Sequence, residues 1–268
     1  MAKAETITSA ANPLLKDVRR AMVRGGLTEQ GWCIAETFHL LEEALRSDCE
    51  VKTVLAADSV RSAAEAHVRR LAGVKVVVLP DALFQRLSGT ETSQGVMALV
   101  KPPAWSLEQL FRGCPLVVVL DGLQDPGNAG TIVRAAEAFG ATGVLFLKGS
   151  VSPYNPKTVR AAVGSLFRVP FLHGVDAALA RAALRQHRVD LYAGMPARSG
   201  SAMRSLADVD LTGRCGLVIG SEARGVGGEL GSAAITVSIP TVGVESLNAA
   251  VAAGILLYEA RRQRAQRA

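Results

Sequence analysis

Three short polar turns hold the residue types in this chain that are able to grip a charged or phosphorylated ligand. The first, DGLQDPGNAGTIVR at 121–134, places Asn128 and Arg134 around the start of an apolar stretch. The second, GSEARGVG at 220–227, supplies Gly220 and Glu222, and the third joins Ile239-Pro240 to Ser246-Leu247-Asn248. Glycine allows close backbone approach to a ligand, and a guanidinium forks onto phosphate in a geometry that lysine does not reproduce. A hydroxyl and an amide flanking Leu247 can both face a ligand while the leucine packs inward. Each residue also has a local alternative: Asn128 as a helix cap, Arg134 paired with Glu137, Glu222 paired with Arg224, and one of Ser246 and Asn248 as a cap.

The whole chain sets the bounds on this chemistry. Its 268 residues are 49% hydrophobic, enough for a sizeable core in one or two domains. The longest apolar candidate, 249–258, is too short to cross a bilayer, and the first ten residues lack a signal-peptide pattern, so no membrane role and a cytoplasmic location are expected. Cys33, Cys49, Cys114 and Cys215 are scattered without metal-ligand spacing and read as reduced structural thiols. His39, His67, His173 and His187 are equally dispersed, so no metal is expected. The net charge of +6 favours a polyanionic partner, with basic clusters at Lys16, Arg19, Arg20 and Arg24 and at Arg261, Arg262, Arg264 and Arg267. Solvated helix faces are the plainer account of both clusters. Aromatics at 4% argue against a surface built on base stacking.

The elements that must position the turns follow from periodicity. Residues 1–100 read as a small α/β domain, with helices at 12–24, 37–46 and 81–87 and short apolar runs at 51–56, 74–79 and 95–100. KPPAWS opens a linker over 101–112. Over 113–268, apolar runs at 116–120, 144–147, 169–172, 191–193, 216–219 and 236–239 alternate with helical stretches at 129–139, 156–167, 176–187 and 246–264. That alternation predicts an α/β domain with a mainly parallel sheet, whose ligand sits beyond the carboxyl ends of the strands. All three polar turns fall at such ends.

Taken in order, Asn128-Ala-Gly-Thr-Ile-Val-Arg134, Ile219-Gly-Ser-Glu222 and Ile239-Pro240 with Ser246-Leu-Asn248 resemble the SpoU/TrmH family of RNA ribose 2′-O-methyltransferases, of the SPOUT class. The resemblance implies S-adenosylmethionine as cofactor, a deep trefoil knot in the C-terminal domain and a homodimer. It implies backbone contacts to the cofactor from Gly220, Ile239 and Leu247, and a catalytic centre lined by Asn128, Arg134, Glu222, Ser246 and Asn248. Earlier in the chain, Asn12-Pro13-Leu14, Glu36 and Gln94-Gly95-Val96 are similar to the small substrate-binding domain that often precedes this fold, with Ser93 where a proline is usual. The implied partner is structured RNA, ribosomal first and transfer RNA second. Two other classes remain: a noncatalytic RNA-binding protein that keeps the knotted domain for dimerisation, and an ordinary Rossmann enzyme, whose glycine spacing is missing here.

Overall fold

The computed structural model describes residues 5–90, 92–195, 203–221 and 224–267. The chain forms two compact units, one made of the chain up to Ala104 together with Tyr154–Arg168, the other of Trp105–Pro153 and Val169–Ala268.

In the first unit, β1 (Glu5–Thr6), α1 (Pro13–Arg24), β2 (Cys33–Glu36), α2 (Phe38–Leu45), β3 (Glu50–Ala57), α3 (Arg61–Val68), β4 (Lys75–Leu79), α4 (Asp81–Leu87) and β5 (Val96–Lys101) follow one another. They build a mixed sheet of order β1-β4-β3-β5-β2, in which β1, β4 and β3 run parallel and β5 pairs antiparallel with β3 and β2. Asn12 accepts the Leu14 N–H at the start of α1, Pro13 opens the helix where an N–H has no partner to lose, and Gly25 ends it at φ 65°. Leu15, Val18 and Ala21 of α1 join Trp32, Phe84 and Leu99 in the core.

The second unit begins with α5 (Leu107–Leu110), which carries a capping box from Ser106 and Gln109. It continues through β6 (Leu116–Asp121), α6 (Pro126–Ala138) and β7 (Gly143–Leu147). The chain then passes into α7 (Pro156–Ala162), which belongs to the first unit, and returns as β8 (Phe171–Val175), α8 (Ala177–Gln186), β9 (Asp190–Gly194), β10 (Arg204–Ser205), β11 (Cys215–Gly220), α9 (Gly228–Gly231), β12 (Ile235–Ser238) and α10 (Ala249–Ala265). The sheet is parallel throughout, in the order β10-β12-β9-β11-β6-β7-β8. Its central strands are buried on both faces, as continuous runs such as Leu116–Leu120 require.

Several elements differ from the sequence expectation. The helix expected at 129–139 starts at Pro126, because Asp125 rather than Asn128 is its cap and accepts the Asn128 N–H. The helix expected from 246 starts at Ala249, because Asn248 caps it from an extended conformation and leaves Ser246 and Leu247 in the preceding loop. Three of the four C-terminal arginines are occupied within the fold. Arg264 donates to the carbonyls of Leu211, Cys114, Pro115 and Gly213, Arg262 pairs with Glu259, and Arg267 with Asp210. Cys33 and Cys215 are buried, which pushes their thiols up to about 12 and about 11, so neither supplies a thiolate near neutral pH.

The first unit is pinned by a buried carboxylate. Glu36, 2% exposed at the end of β2, accepts hydroxyl hydrogen bonds from Ser88, Thr90 and Ser93 and an Arg160 N–H at 3.0 Å. Arg160 lies on α7, so this pair fastens a segment from between β7 and β8 to a residue 124 positions earlier. Glu36→Ala removes the counter-charge of Arg160 and a shared acceptor of three hydroxyls and is expected to cost about 3 kcal/mol in urea unfolding. Glu36→Gln, which keeps the shape and acceptor oxygen, is expected to cost less; equal loss from both would show that the charge alone matters.

Candidate active site

Parallel pairing fixes where the three turns meet. Gly220, the last residue of β11, is in register with Asp121, the last of β6, while β12 ends beyond the register pair Val237 and Gly194. The turns therefore leave the same edge of the sheet.

The 220–227 turn is closed by its own backbone. Ser221 and Gly225 exchange N–H to carbonyl hydrogen bonds at 3.2 and 2.8 Å, and Arg224 N–H donates to Ser221 Oγ at 3.2 Å. Gly225 sits at φ 67°, and a Cβ on Gly220 would lie 2.1 Å from the Gly225 carbonyl carbon, so only glycine admits this approach at 220. Asp121 holds the far side, its Oδ2 accepting the Gly227 N–H at 2.7 Å. The sequence reading passed over Asp121 and Asp125. The Asp-Pro pair at 125–126 is a readable cap-and-first-turn signal, whereas Asp121 became visible only through its bond to Gly227.

The 121–128 turn is tied from below. Ser150 Oγ receives the Gly122 N–H and donates to the Leu120 carbonyl, and Val151 N–H donates to the Leu123 carbonyl. The helix α6 that follows buries Ala129, Gly130, Ile132, Val133 and Ala136 and turns Arg134 to solvent. No hydrogen bond or ion pair engages Arg134 among the described residues, so its guanidinium remains available.

The third turn meets the first through two amides. Asn248 Oδ1 accepts the N–H groups of Ala250 and Val251, capping α10, while its Nδ2 donates to Asn128 Oδ1 at 3.0 Å. The two asparagines picked out in the sequence are thus in contact, and α10 packs on α6 and β11. Ser246 is exposed, and Ile239 and Leu247 are half-buried. Glu222 lies outside the described residues. The structure therefore brings Asn128 and Asn248 together and sets Gly220 beside Asp121; it shows no bond from Ser246 or Arg134 to either asparagine among the described residues.

This arrangement fits an adenosine-bearing cofactor. Gly220 leaves the strand-end backbone without a side chain, and Ile239 and Leu247 offer half-buried apolar surface on the same edge. No groups of three or more histidine, cysteine or carboxylate residues suited to a metal occur among the described residues.

Residues 115–258 match the SpoU rRNA Methylase family, and 12–98 match an MRM3-like substrate binding domain. The chain belongs to the SpoU rRNA methylase family. It is 31% identical to the 23S rRNA (guanosine(2553)-2′-O)-methyltransferase RlmP of Bacillus subtilis, over 95% of this chain and 98% of that one. Among solved structures, an AdoMet-bound rRNA methyltransferase from Sinorhizobium meliloti superposes with a TM-score of 0.81 at 27% identity, covering 97% of this chain and 98% of its own. The SpoU methyltransferase AviRb from Streptomyces viridochromogenes in complex with AdoMet gives 0.82 at 27% identity, with 95% and 98% covered.

Two substitutions probe this family member's site directly. Gly220→Ala is expected to displace the turn and release the Gly227 amide, seen as faster hydrogen exchange there; unchanged protection would contradict the close approach. Asn248→Ala is expected to lower stability by about 1 kcal/mol through loss of the α10 cap. Asn248→Asp keeps a capping oxygen but loses the donor to Asn128, so it is expected to lose less than Asn248→Ala; equal losses would show that the bond to Asn128, absent from both variants, carries the effect and not the cap.

Proposed function

We propose that this chain transfers a methyl group from S-adenosylmethionine to a ribose 2′-hydroxyl of ribosomal RNA. The observation that carries the reading is the joining of the three family motifs at one sheet edge, with the Asn128–Asn248 contact at its centre. The relatives that bear rRNA 2′-O-methyltransferase names and the AdoMet complexes of similar structures support both substrate and cofactor.

In this reading Gly220, Ile239 and Leu247 hold the adenosine through their backbones. Asn128, Arg134, Glu222, Ser246 and Asn248 line the reacting end. When bound, S-adenosylmethionine supplies a methyl group on a sulfonium that departs as a neutral thioether, so in-line positioning accounts for much of the acceleration. Arg134, exposed and bonded to nothing among the described residues, forks onto the phosphate beside the target ribose and stabilises charge that develops on the 2′-oxygen. A guanidinium stays protonated in proteins and does not accept the hydroxyl proton; a phosphate oxygen or water takes it. The Asn128–Asn248 pair keeps the start of α6 and the start of α10 at a fixed spacing while this happens.

Three further parts belong to the same proposal. The segment after β12 threads back to the start of α6 as part of a deep trefoil knot, a reading supported by the Asn248–Asn128 bond, since β9 and β11 lie between β12 and β6 in the sheet. A homodimer covers the exposed apolar residues Val242, Val244, Val251 and Tyr258. The first unit contributes RNA affinity and the second unit the chemistry, in the cytoplasm; no helix among the described residues is long and apolar enough to cross a membrane.

The test is methyl transfer to ribosomal RNA, with transfer RNA alongside, followed by mapping of 2′-O-methyl positions. Arg134→Lys is expected to lower kcat roughly 100-fold while leaving calorimetric binding of S-adenosylmethionine intact. Near-normal turnover would remove the bidentate role; methylation of transfer RNA alone would replace the substrate; cofactor binding absent with RNA binding retained would favour a noncatalytic RNA-binding protein.

A further inference from the structure

The first unit contains a cleft that the methyl-transfer chemistry does not use. It opens at the carboxyl ends of the parallel strands β3 and β4, has a volume of about 250 Å3, and is lined by Ser59, Val60, Asp81, Phe84, Gln94 and Gly95, among others. Phe84 and Val60 form an apolar wall, and Gly95, at φ 74° with no room for a Cβ beside Val60, keeps the backbone close. A cleft of this volume has room for one nucleobase.

Its polar groups have fixed directions of hydrogen bonding. Asp81 Oδ1 receives both the Ser59 hydroxyl at 2.6 Å and the Ser59 N–H at 3.3 Å, while no described group donates to Oδ2. Gln94 Oε1 accepts the Phe38 N–H at 3.0 Å, which orients the amide and leaves its Nε2 as a donor to the cleft. The loop that carries Gln94 is itself held by the Glu36 cluster through Ser88, Thr90 and Ser93. The cleft thus offers a carboxylate acceptor and an amide donor on a preformed wall.

We propose that this cleft takes a single unpaired guanine base of the RNA substrate. The proposal rests on the reading of the chain as an RNA methyltransferase. A carboxylate repels a phosphate, so the group that enters is a base edge. Guanine alone among the four RNA bases presents two adjacent donors, N1–H and N2–H, to a carboxylate, with the O6 acceptor next to them for an amide N–H. Sequence-specific RNA recognition commonly takes this form, an unstacked base read along its Watson–Crick edge.

The experiment measures binding of the full chain, by fluorescence anisotropy, to a labelled uridine hexamer containing one guanosine, to its inosine analogue and to the all-uridine hexamer. Wild type is expected to favour guanosine over uridine roughly tenfold, because the one free oxygen, Oδ2, accepts both N1–H and N2–H of guanine but a single N–H of uracil, with inosine between them because it lacks the N2 amino group. Asp81→Asn keeps an Oδ1 acceptor for Ser59 and replaces the free acceptor with a donor, so the fold persists and the preference for guanosine disappears. Equal binding of all three hexamers by wild type, or an undiminished preference in Asp81→Asn, would overturn the proposal. Methyl transfer to ribosomal RNA by wild type is measured in parallel. Its absence would strike the methyltransferase reading and leave the hexamer comparison standing, whereas loss of discrimination strikes the cleft alone.

Discussion

One side-chain amide, that of Asn248, is committed at both ends, and the arrangement of the site depends on it. Its oxygen satisfies two free N–H groups at the start of α10, and its nitrogen reaches Asn128 on a helix 120 residues earlier in the chain. Capping alone would fix α10 only along its own axis. The second bond fixes where that axis starts, at the carboxyl edge of the parallel sheet, beside the turns that begin at Gly220 and Asp121.

Charge placement follows a consistent division. Arginines that serve the fold are engaged: Arg264 binds four carbonyls and Arg160 a buried carboxylate. Arg134 is exposed on α6 and bonded to nothing described, although its helix is anchored by five buried residues. A cation held on a helix with no partner among the described residues keeps its hydrogen-bonding capacity for a ligand, and a phosphate would match its fork. Its strength as a donor comes from the same fixed charge that disqualifies it as a base.

Much of this was legible from sequence because both-faces-buried strands leave continuous apolar runs, and β6, β7 and β11 fall where those runs lie. The order of the polar turns along the chain was enough to mark one edge of one sheet. Other features have no local signature. The two-residue strands β1 and β10 exist only through their pairing with β4 and β12. The placement of α7 with the first unit is tied to the buried Glu36–Arg160 pair, which no window of sequence contains. The start of α10 was misjudged by three residues because Ser246 and Asn248 are both good caps, and only the backbone of Asn248, at φ −53° and ψ 141°, decides between them.

The most direct measurement is a crystal structure of the protein with S-adenosylmethionine. The account predicts the adenosine against the backbones of Gly220, Ile239 and Leu247, with the methyl group directed toward the Asn128–Asn248 contact and Arg134. Cofactor bound at any other edge of the sheet, or a methyl group facing away from Arg134, would contradict it.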